Sequence, residues 1–127
     1  MTEIIGIPFN LSDLVGLPYK VHGREETGLD CFGLIYLIAQ RNGTPIDDPI
    51  YKGFDPTLAT LADKIGLTKV ESLTEGCILE IEKDKRLHLG YSIDQKRMIH
   101  CTHDKGVIIE NIKNYYVKGY YKFNGCN

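Results

Sequence analysis

The hydrophobic pattern changes its period near residue 75, and this change constrains the fold more than any other feature of the chain. Before it, apolar residues in 31–41 fill several sides of a helix. After it, apolar and polar residues alternate, as in 87–93. Helices show a period of 3.6 residues and half-buried strands a period of two. The order predicts an α+β fold, with a helix packed on an antiparallel meander sheet of about five strands.

Capping signals define the predicted helices. Asp30 is the predicted N-cap of a helix from Cys31 to about Arg41, and Asn42-Gly43 ends it. A second helix is predicted to begin at Asp55-Pro56 and to end before Gly66. Strand-like runs follow at about 77–81, 87–93, 97–102, 106–112 and 117–123.

Length, charge and cysteine usage exclude several classes of protein. At 127 residues we expect one domain, 1–127, with a net charge of −2 and no basic block, so nucleic acid is not an expected partner. No apolar run has the length of a membrane span, and the N-terminus lacks the pattern of a signal peptide, so synthesis in the cytosol is expected. The four cysteines form no C-x-x-C pair, which favours free thiols over disulfides.

Cys31 is the candidate nucleophile because it opens the predicted helix. The positive end of a helix dipole favours the thiolate, which is the reactive form of cysteine. A cysteine nucleophile also needs a histidine base from elsewhere in the fold. The sequence therefore predicts a small cysteine hydrolase that uses no cofactor.

His88 and His100 are the candidate partners of Cys31. A hairpin centred on Asp94 would make them directly opposed, with Cβ atoms about 4.5–5.5 Å apart, on the face opposite the apolar residues of the strand. If the helix packs on the histidine face, its N-terminus places the sulfur beside His88. His88 would then take the thiol proton to give a thiolate–imidazolium pair, and His100 would hold the far nitrogen of His88.

A metal site is the weaker interpretation of the same residues. The run His100-Cys101-x-His103 could combine with Cys31 and Cys77 around a zinc ion. Neighbouring strand residues point to opposite faces, however, so His100 and Cys101 do not readily bind one ion. No metal is therefore predicted.

Three blocks resemble the signature blocks of the NlpC/p-sixty cysteine peptidases: residues 30–34 (Asp-Cys-Phe-Gly-Leu), 88–91 (His-Leu-Gly-Tyr) and 98–100 (Met-Ile-His). The resemblance spans about residues 11 to 112. It implies a papain-like fold and cleavage of peptide bonds in bacterial cell-wall stem peptides, commonly between D-glutamate and a diamino acid. By position, Cys31 is the nucleophile, His88 the base and His100 the third polar residue.

The resemblance also assigns neighbouring residues. Tyr19 matches a family tyrosine that helps at the oxyanion site, and Asp30 is an N-cap and a candidate substrate contact. Phe32 stands where wall-remodelling members usually have a small residue, and an aromatic residue there is more like the phage tail-associated branch. The implied partners are peptidoglycan peptides and other phage tail proteins, with the virion as a candidate location.

Two other functions remain open at this point. A papain-like fold can also support amide hydrolysis or acyl transfer on another substrate. A non-enzymatic phage tail assembly module could retain the same residues without using them.

Overall fold

We describe the fold from a computed structural model, which covers residues 8–48, 62, 65–83 and 86–124. One long helix is followed by most of the strands, as the sequence predicts. The elements in chain order are α1 (Phe9–Ser12), β1 (Arg24–Glu25), β2 (Gly28–Leu29), α2 (Cys31–Arg41), β3 (Leu67–Val70), β4 (Ile78–Lys83), β5 (Arg86–Ser92), β6 (Arg97–Thr102), β7 (Gly106–Asn111), a 3-10 turn (Ile112–Asn114) and β8 (Tyr116–Phe123).

The main sheet has six antiparallel strands in the order β3-β8-β4-β5-β6-β7, and β1 pairs separately with β2. The predicted α+β class and the helix on an antiparallel sheet are confirmed, with six strands where about five were expected. The added strand is β3, whose four residues pair with the end of β8, from Leu67 opposite Phe123 to Val70 opposite Tyr120. Such a short strand shows too few alternations for the period of two to stand out.

The long helix begins and ends where the sequence predicts. The Asp30 carboxylate accepts a hydrogen bond of 2.6 Å from the Gly33 N–H, which satisfies one of the free donors of the first turn. At the other end Gly43 has a φ of +75°, a conformation that favours glycine. The second predicted helix, 55–65, lies almost wholly outside the described residues, although Ala62 and Ile65 have helical conformation. In the described part of the chain, no helix combines the length and apolar character needed to cross a membrane.

The two faces of the sheet carry different layers. Leu89 and Tyr91 of β5 and Cys101 of β6 pack in the same cluster as α2. A smaller apolar cluster covers the opposite face, formed by Cys77, Leu79, Ile81, Met98 and Ile112. The alternation of a strand therefore sends odd-numbered residues of β5 toward α2 and even-numbered residues away from it.

We expect the contact between α2 and the sheet to dominate stability. Leu34 is fully buried in this contact, so Leu34→Ala should lower the free energy of unfolding by about 2–5 kcal/mol in denaturant titrations. Gln40→Ala on the exposed side of the same helix is the matched control and should change it by about 0.5 kcal/mol or less. Equal losses in the two variants would contradict this assignment of the core.

Candidate active site

Cys31 lies at the first position of α2 and keeps partial exposure to solvent. Burial and the nearby charge of Asp30 raise the pKa of its thiol to about 11, although hydrogen bonds from the backbone N–H groups of Leu89 and Phe32 act in the opposite direction. The preference for the thiolate that the helix dipole implies is therefore outweighed in the protein without substrate. Burial outweighs the dipole because it removes the water that would solvate the thiolate.

The hydrogen bond from Leu89 places the Cys31 sulfur at an opening between two strands. The pairing of β5 with β6 runs only from Ser92 opposite Met98 to Gly90 opposite His100. The Ile93 N–H donates to the Arg97 carbonyl at 3.0 Å, on the side of β6. Every second N–H of a strand points to the same neighbour, so the Leu89 N–H also points toward β6. The Leu89 N–H binds the Cys31 thiol and not a carbonyl of β6. The sulfur therefore lies where the pairing of β5 with β6 ends, next to the residue that follows His88.

His88 and His100 contact each other at the same place. His88 Nε2 lies 2.8 Å from His100 Nδ1, and the two rings meet edge to face with their centroids 5.0 Å apart. The register that the sequence analysis used is wrong by two residues, because His100 is paired with Gly90 and not with His88. Because strand side chains alternate with a period of two, a register shift of two residues keeps both histidines on one face of the sheet. They are therefore diagonal neighbours and not directly opposed.

The helix does not pack on the histidine face, which corrects a second expectation. Leu87 and Leu89 contact the α2 layer, and the even-numbered His88 therefore points to the other face of β5. Thiol and imidazoles thus approach the opening from opposite faces of the sheet. Among the described residues, no hydrogen bond joins Cys31 to either imidazole.

Both histidines are buried and neutral. Burial lowers the pKa of His88 to about 3, and the positive charges of a protonated His100 and of Lys83 act in the same direction. Burial also lowers the pKa of His100, although Glu110 acts against it. The thiolate–imidazolium pair expected from the sequence is therefore not the state of the free protein at neutral pH.

Glu110 and Tyr115 complete a polar chain that the sequence analysis missed. Glu110 Oε1 lies 2.8 Å from His100 Nε2 and accepts a hydrogen bond of 2.7 Å from the Tyr115 hydroxyl. Glu110 is opposite Met98 on the neighbouring strand, which puts its side chain on the histidine face. The sequence feature that could have found Glu110 is a carboxylate at an even-numbered position of the predicted strand 106–112, since His88 and His100 are also at even-numbered strand positions.

Asp30 and Arg24 support the start of α2. Besides capping the helix, Asp30 forms an ion pair of 2.8 Å with Arg24 and accepts a hydrogen bond from the His22 N–H. Arg24 also binds Asp48 at 2.9 Å and lies 5.0 Å over the ring of Phe32. The role of Asp30 as an N-cap is confirmed, and its substrate contact stays a prediction.

Tyr19 lies within electrostatic range of the Cys31 thiol. It bridges to Leu29 in the backbone, and its ring packs against His103 at 5.0 Å between centroids. Burial raises its phenol pKa, and the charges of Asp30 and Cys31 add to that effect. The phenol of Tyr19 is therefore neutral, and its role at the oxyanion site stays a prediction.

Cys77 and Cys101 lie in different layers of the fold. Cys77 is buried, and the Cys101 thiol donates a hydrogen bond of 3.0 Å to the Leu29 carbonyl in the α2 layer. Within the described ranges, no group of three or more potential metal ligands occurs. Cys126 lies outside the described residues.

Comparison with known proteins shows the family of this chain. The sequence model of the NlpC/P60 family matches residues 16–124, which is most of the chain. The chain belongs to the NlpC/P60 family. No match is found among curated proteins.

Solved structures of this family share the fold. The NlpC/p60 domain of the peptidoglycan hydrolase SagA superposes with a TM-score of 0.66 at 15% identity, covering 90% of this chain and 93% of that one. An NlpC/P60 family protein from Bacillus cereus gives 0.62 at 23% identity, covering 92% of this chain. A lipoprotein-like family protein from Staphylococcus aureus gives 0.62 at 14% identity, covering 97%. This chain spans 41% and 43% of the last two chains.

Acid should destabilise the protein through His88. Its pKa is 6.5 for an unperturbed group and about 3 in the fold, so the unfolded state binds more protons between these values. The contribution of the neutral His88 to the free energy of unfolding is present above about pH 6.5. It is lost as the pH falls, by on the order of 2 kcal/mol between pH 7 and pH 5. Denaturant titrations at the two values measure this loss. His88→Gln should reduce it, whereas the exposed-site control His103→Gln should retain it; an unchanged loss in His88→Gln would contradict the assignment.

Alkylation should reveal a thiol of high pKa. We expect the rate of Cys31 modification by iodoacetamide, followed by peptide mapping, to rise with pH toward about pH 11 without a plateau near neutrality. A free model thiol measured in parallel should level off near its ordinary pKa of about 8.5. A plateau for Cys31 below pH 7 would instead indicate a preformed thiolate–imidazolium pair.

Proposed function

We propose that this protein is a cysteine peptidase that hydrolyses peptide bonds in peptidoglycan stem peptides. The observation that carries the proposal is the 2.8 Å contact of His88 with His100 beside the strand opening that holds the Cys31 sulfur. Membership in the NlpC/P60 family supports it, and the related SagA domain comes from a protein described as a peptidoglycan hydrolase. A bond from D-glutamate to a diamino acid is the expected site of cleavage.

The neutral resting state requires proton transfer during the attack. As the Cys31 sulfur bonds to the scissile carbonyl carbon, its proton moves to His88. The backbone N–H of Cys31 and the Tyr19 hydroxyl stabilise the charge on the oxygen. His88 then gives the proton to the leaving nitrogen, the C–N bond breaks and a thioester remains. Water attacks the thioester with His88 as the base, and the acid product leaves the thiol free.

Substrate binding supplies what the free protein lacks. The oxyanion and the imidazolium exist only during the reaction, so the neutral pair of the free protein need not be charged beforehand. His100 holds the ring of His88 through its far nitrogen and stabilises the positive charge when it forms. Asp30 supports the nucleophile indirectly, by capping the helix that carries it.

We further propose an association with phage tails. Phe32 supports it, since the buried ring follows the nucleophile where wall-remodelling members usually have a small residue. Other tail proteins would be the partners and the virion the location. Mass spectrometry of purified phage particles from a host carrying this sequence should find the chain in tail fractions; its restriction to the free lysate would contradict the association.

One observation favours a different function. A thiol with a pKa of about 11 is a weak nucleophile at neutral pH, which fits a non-enzymatic assembly module. An amidase or acyltransferase acting on another substrate would use the same chemistry as the peptidase. A substrate panel separates both from the proposal.

Stem-peptide cleavage tests the proposal directly. Purified stem peptides are incubated with wild type, with Cys31→Ala and with Cys77→Ala, and the products are identified by mass spectrometry. We expect wild type and Cys77→Ala to cleave one bond, because the Cys77 thiol is fully buried and its hydrogen-bond partner is Ser92. Cys31→Ala should lose about 1,000-fold or more in rate.

The controls decide between the alternatives. Each variant is first shown to retain wild-type secondary structure and a cooperative unfolding transition. Cleavage by Cys31→Ala at the wild-type rate would contradict the assignment of the nucleophile. No cleavage by a folded wild type would contradict the peptidase, and turnover of another amide or ester in the panel would then identify the amidase or acyltransferase.

A further inference from the structure

Glu110 and Tyr115 continue the histidine pair into a chain of four side chains. The contacts run from His88 Nε2 to His100 Nδ1 at 2.8 Å and from His100 Nε2 to Glu110 Oε1 at 2.8 Å. The Tyr115 hydroxyl donates to the same Oε1 at 2.7 Å, and its ring also packs against the edge of His100. His100 has no exposed surface, so water does not compete for its two nitrogens.

A pair of neutral imidazoles joined by one hydrogen bond has two possible proton arrangements. Each neutral ring carries one proton, and the shared proton can belong to either nitrogen of the contact. If it belongs to His100 Nδ1, then His88 must carry its own proton on Nδ1 and has no free lone pair for the Cys31 proton. If it belongs to His88 Nε2, then His88 Nδ1 is free to act as the base.

Glu110 removes this ambiguity. An ionised carboxylate only accepts hydrogen bonds, so the 2.8 Å contact requires the proton of His100 to be on Nε2. His100 Nδ1 is then the acceptor, and His88 must donate from Nε2. The Tyr115 hydroxyl, as a second donor to Glu110, favours the ionised carboxylate.

We propose that Glu110, held by Tyr115, is a positioning residue that selects the histidine tautomers and leaves Nδ1 of His88 as the base. This inference rests on the proposed function only for its effect on catalysis. The tautomers themselves are a property of the free protein. Three other charged groups act electrostatically on these four side chains: Lys83 on both histidines, Lys105 on Glu110 and Asp104 on Tyr115.

Long-range proton–nitrogen NMR of the full chain at pH 7 tests the proposal without any substrate. The spectrum reports which nitrogen of each neutral imidazole carries the proton. In wild type we expect Nε2–H for both His88 and His100. A proton on Nδ1 of His100 would overturn the proposal whatever the activity of the protein.

Two variants at Glu110 separate tautomer selection from packing. Glu110→Gln keeps an acceptor oxygen, which the Tyr115 hydroxyl would hold toward His100 in place of the amide NH2 group, and should keep most of the wild-type tautomers. Glu110→Leu removes the acceptor and should give a mixture. Tyr115→Phe should broaden or partly mix the tautomers, and Tyr116→Phe at the exposed neighbouring position is the matched control. Wild-type tautomers in a folded Glu110→Leu would overturn the proposal.

Kinetics gives the catalytic part of the test. On a cleaved stem peptide, Glu110→Leu should lower kcat about 10- to 100-fold with little change in KM, and Glu110→Gln should recover most of it. An equal loss in the Leu and Gln variants would overturn the role in catalysis. If wild type cleaves nothing and the NMR result still holds, the proposed function fails and the tautomer assignment stands. If Glu110→Leu does not fold, the wild-type and Glu110→Gln spectra decide the question.

Discussion

The site depends on the early end of the hydrogen-bond ladder between β5 and β6. The strands pair as far as Gly90 and His100, and beyond that point the Leu89 N–H is available to the Cys31 thiol. The same opening brings the two histidines within 2.8 Å of each other across the ladder end. If the pairing continued by one more pair, Leu89 opposite Cys101, the Leu89 N–H would bind β6. The opening where the sulfur and the imidazoles approach each other would then be closed.

Burial then determines the charge state of these groups. A thiol with a pKa of about 11 and an imidazole with a pKa of about 3 exchange no proton at rest. Because both groups are neutral, neither of them places an uncompensated charge in the buried interior. Glu110 is the more exposed partner of His100 in the hydrogen-bonded series of side chains, so its carboxylate can stay ionised. The ionised carboxylate can then fix the tautomers of the two neutral histidines.

The parts of the fold that follow from local patterns could be predicted from the sequence. The cap at Asp30 and the stop at Gly43 fix α2 to the predicted residues, and five of the six main strands lie close to the predicted runs. The face shared by His88 and His100 also follows from alternation. Their register does not, because the Asp94 carboxylate binds the N–H groups of Lys96 and Arg97 and the Ile93 N–H binds the Arg97 carbonyl. The turn is therefore centred on Gln95.

Other features depend on contacts between distant parts of the chain. Glu110 joins the site only because β7 pairs with β6, and the side of the sheet chosen by α2 is set by the apolar cluster as a whole. No short segment contains this information. The same holds for the pKa of Cys31, since the helix dipole is visible in the sequence and the burial that outweighs it is not.

We propose that Cys31 attacks a stem-peptide carbonyl with His88 as its base. The most direct measurement uses a stem peptide with an electrophilic ketone in place of the scissile bond, followed by peptide mapping of the labelled protein. We expect the adduct on Cys31 alone, formed at a rate that falls about 100-fold or more in a folded His88→Ala variant. An adduct on Cys77 or Cys101, or the same rate of Cys31 labelling without His88, would contradict the claim.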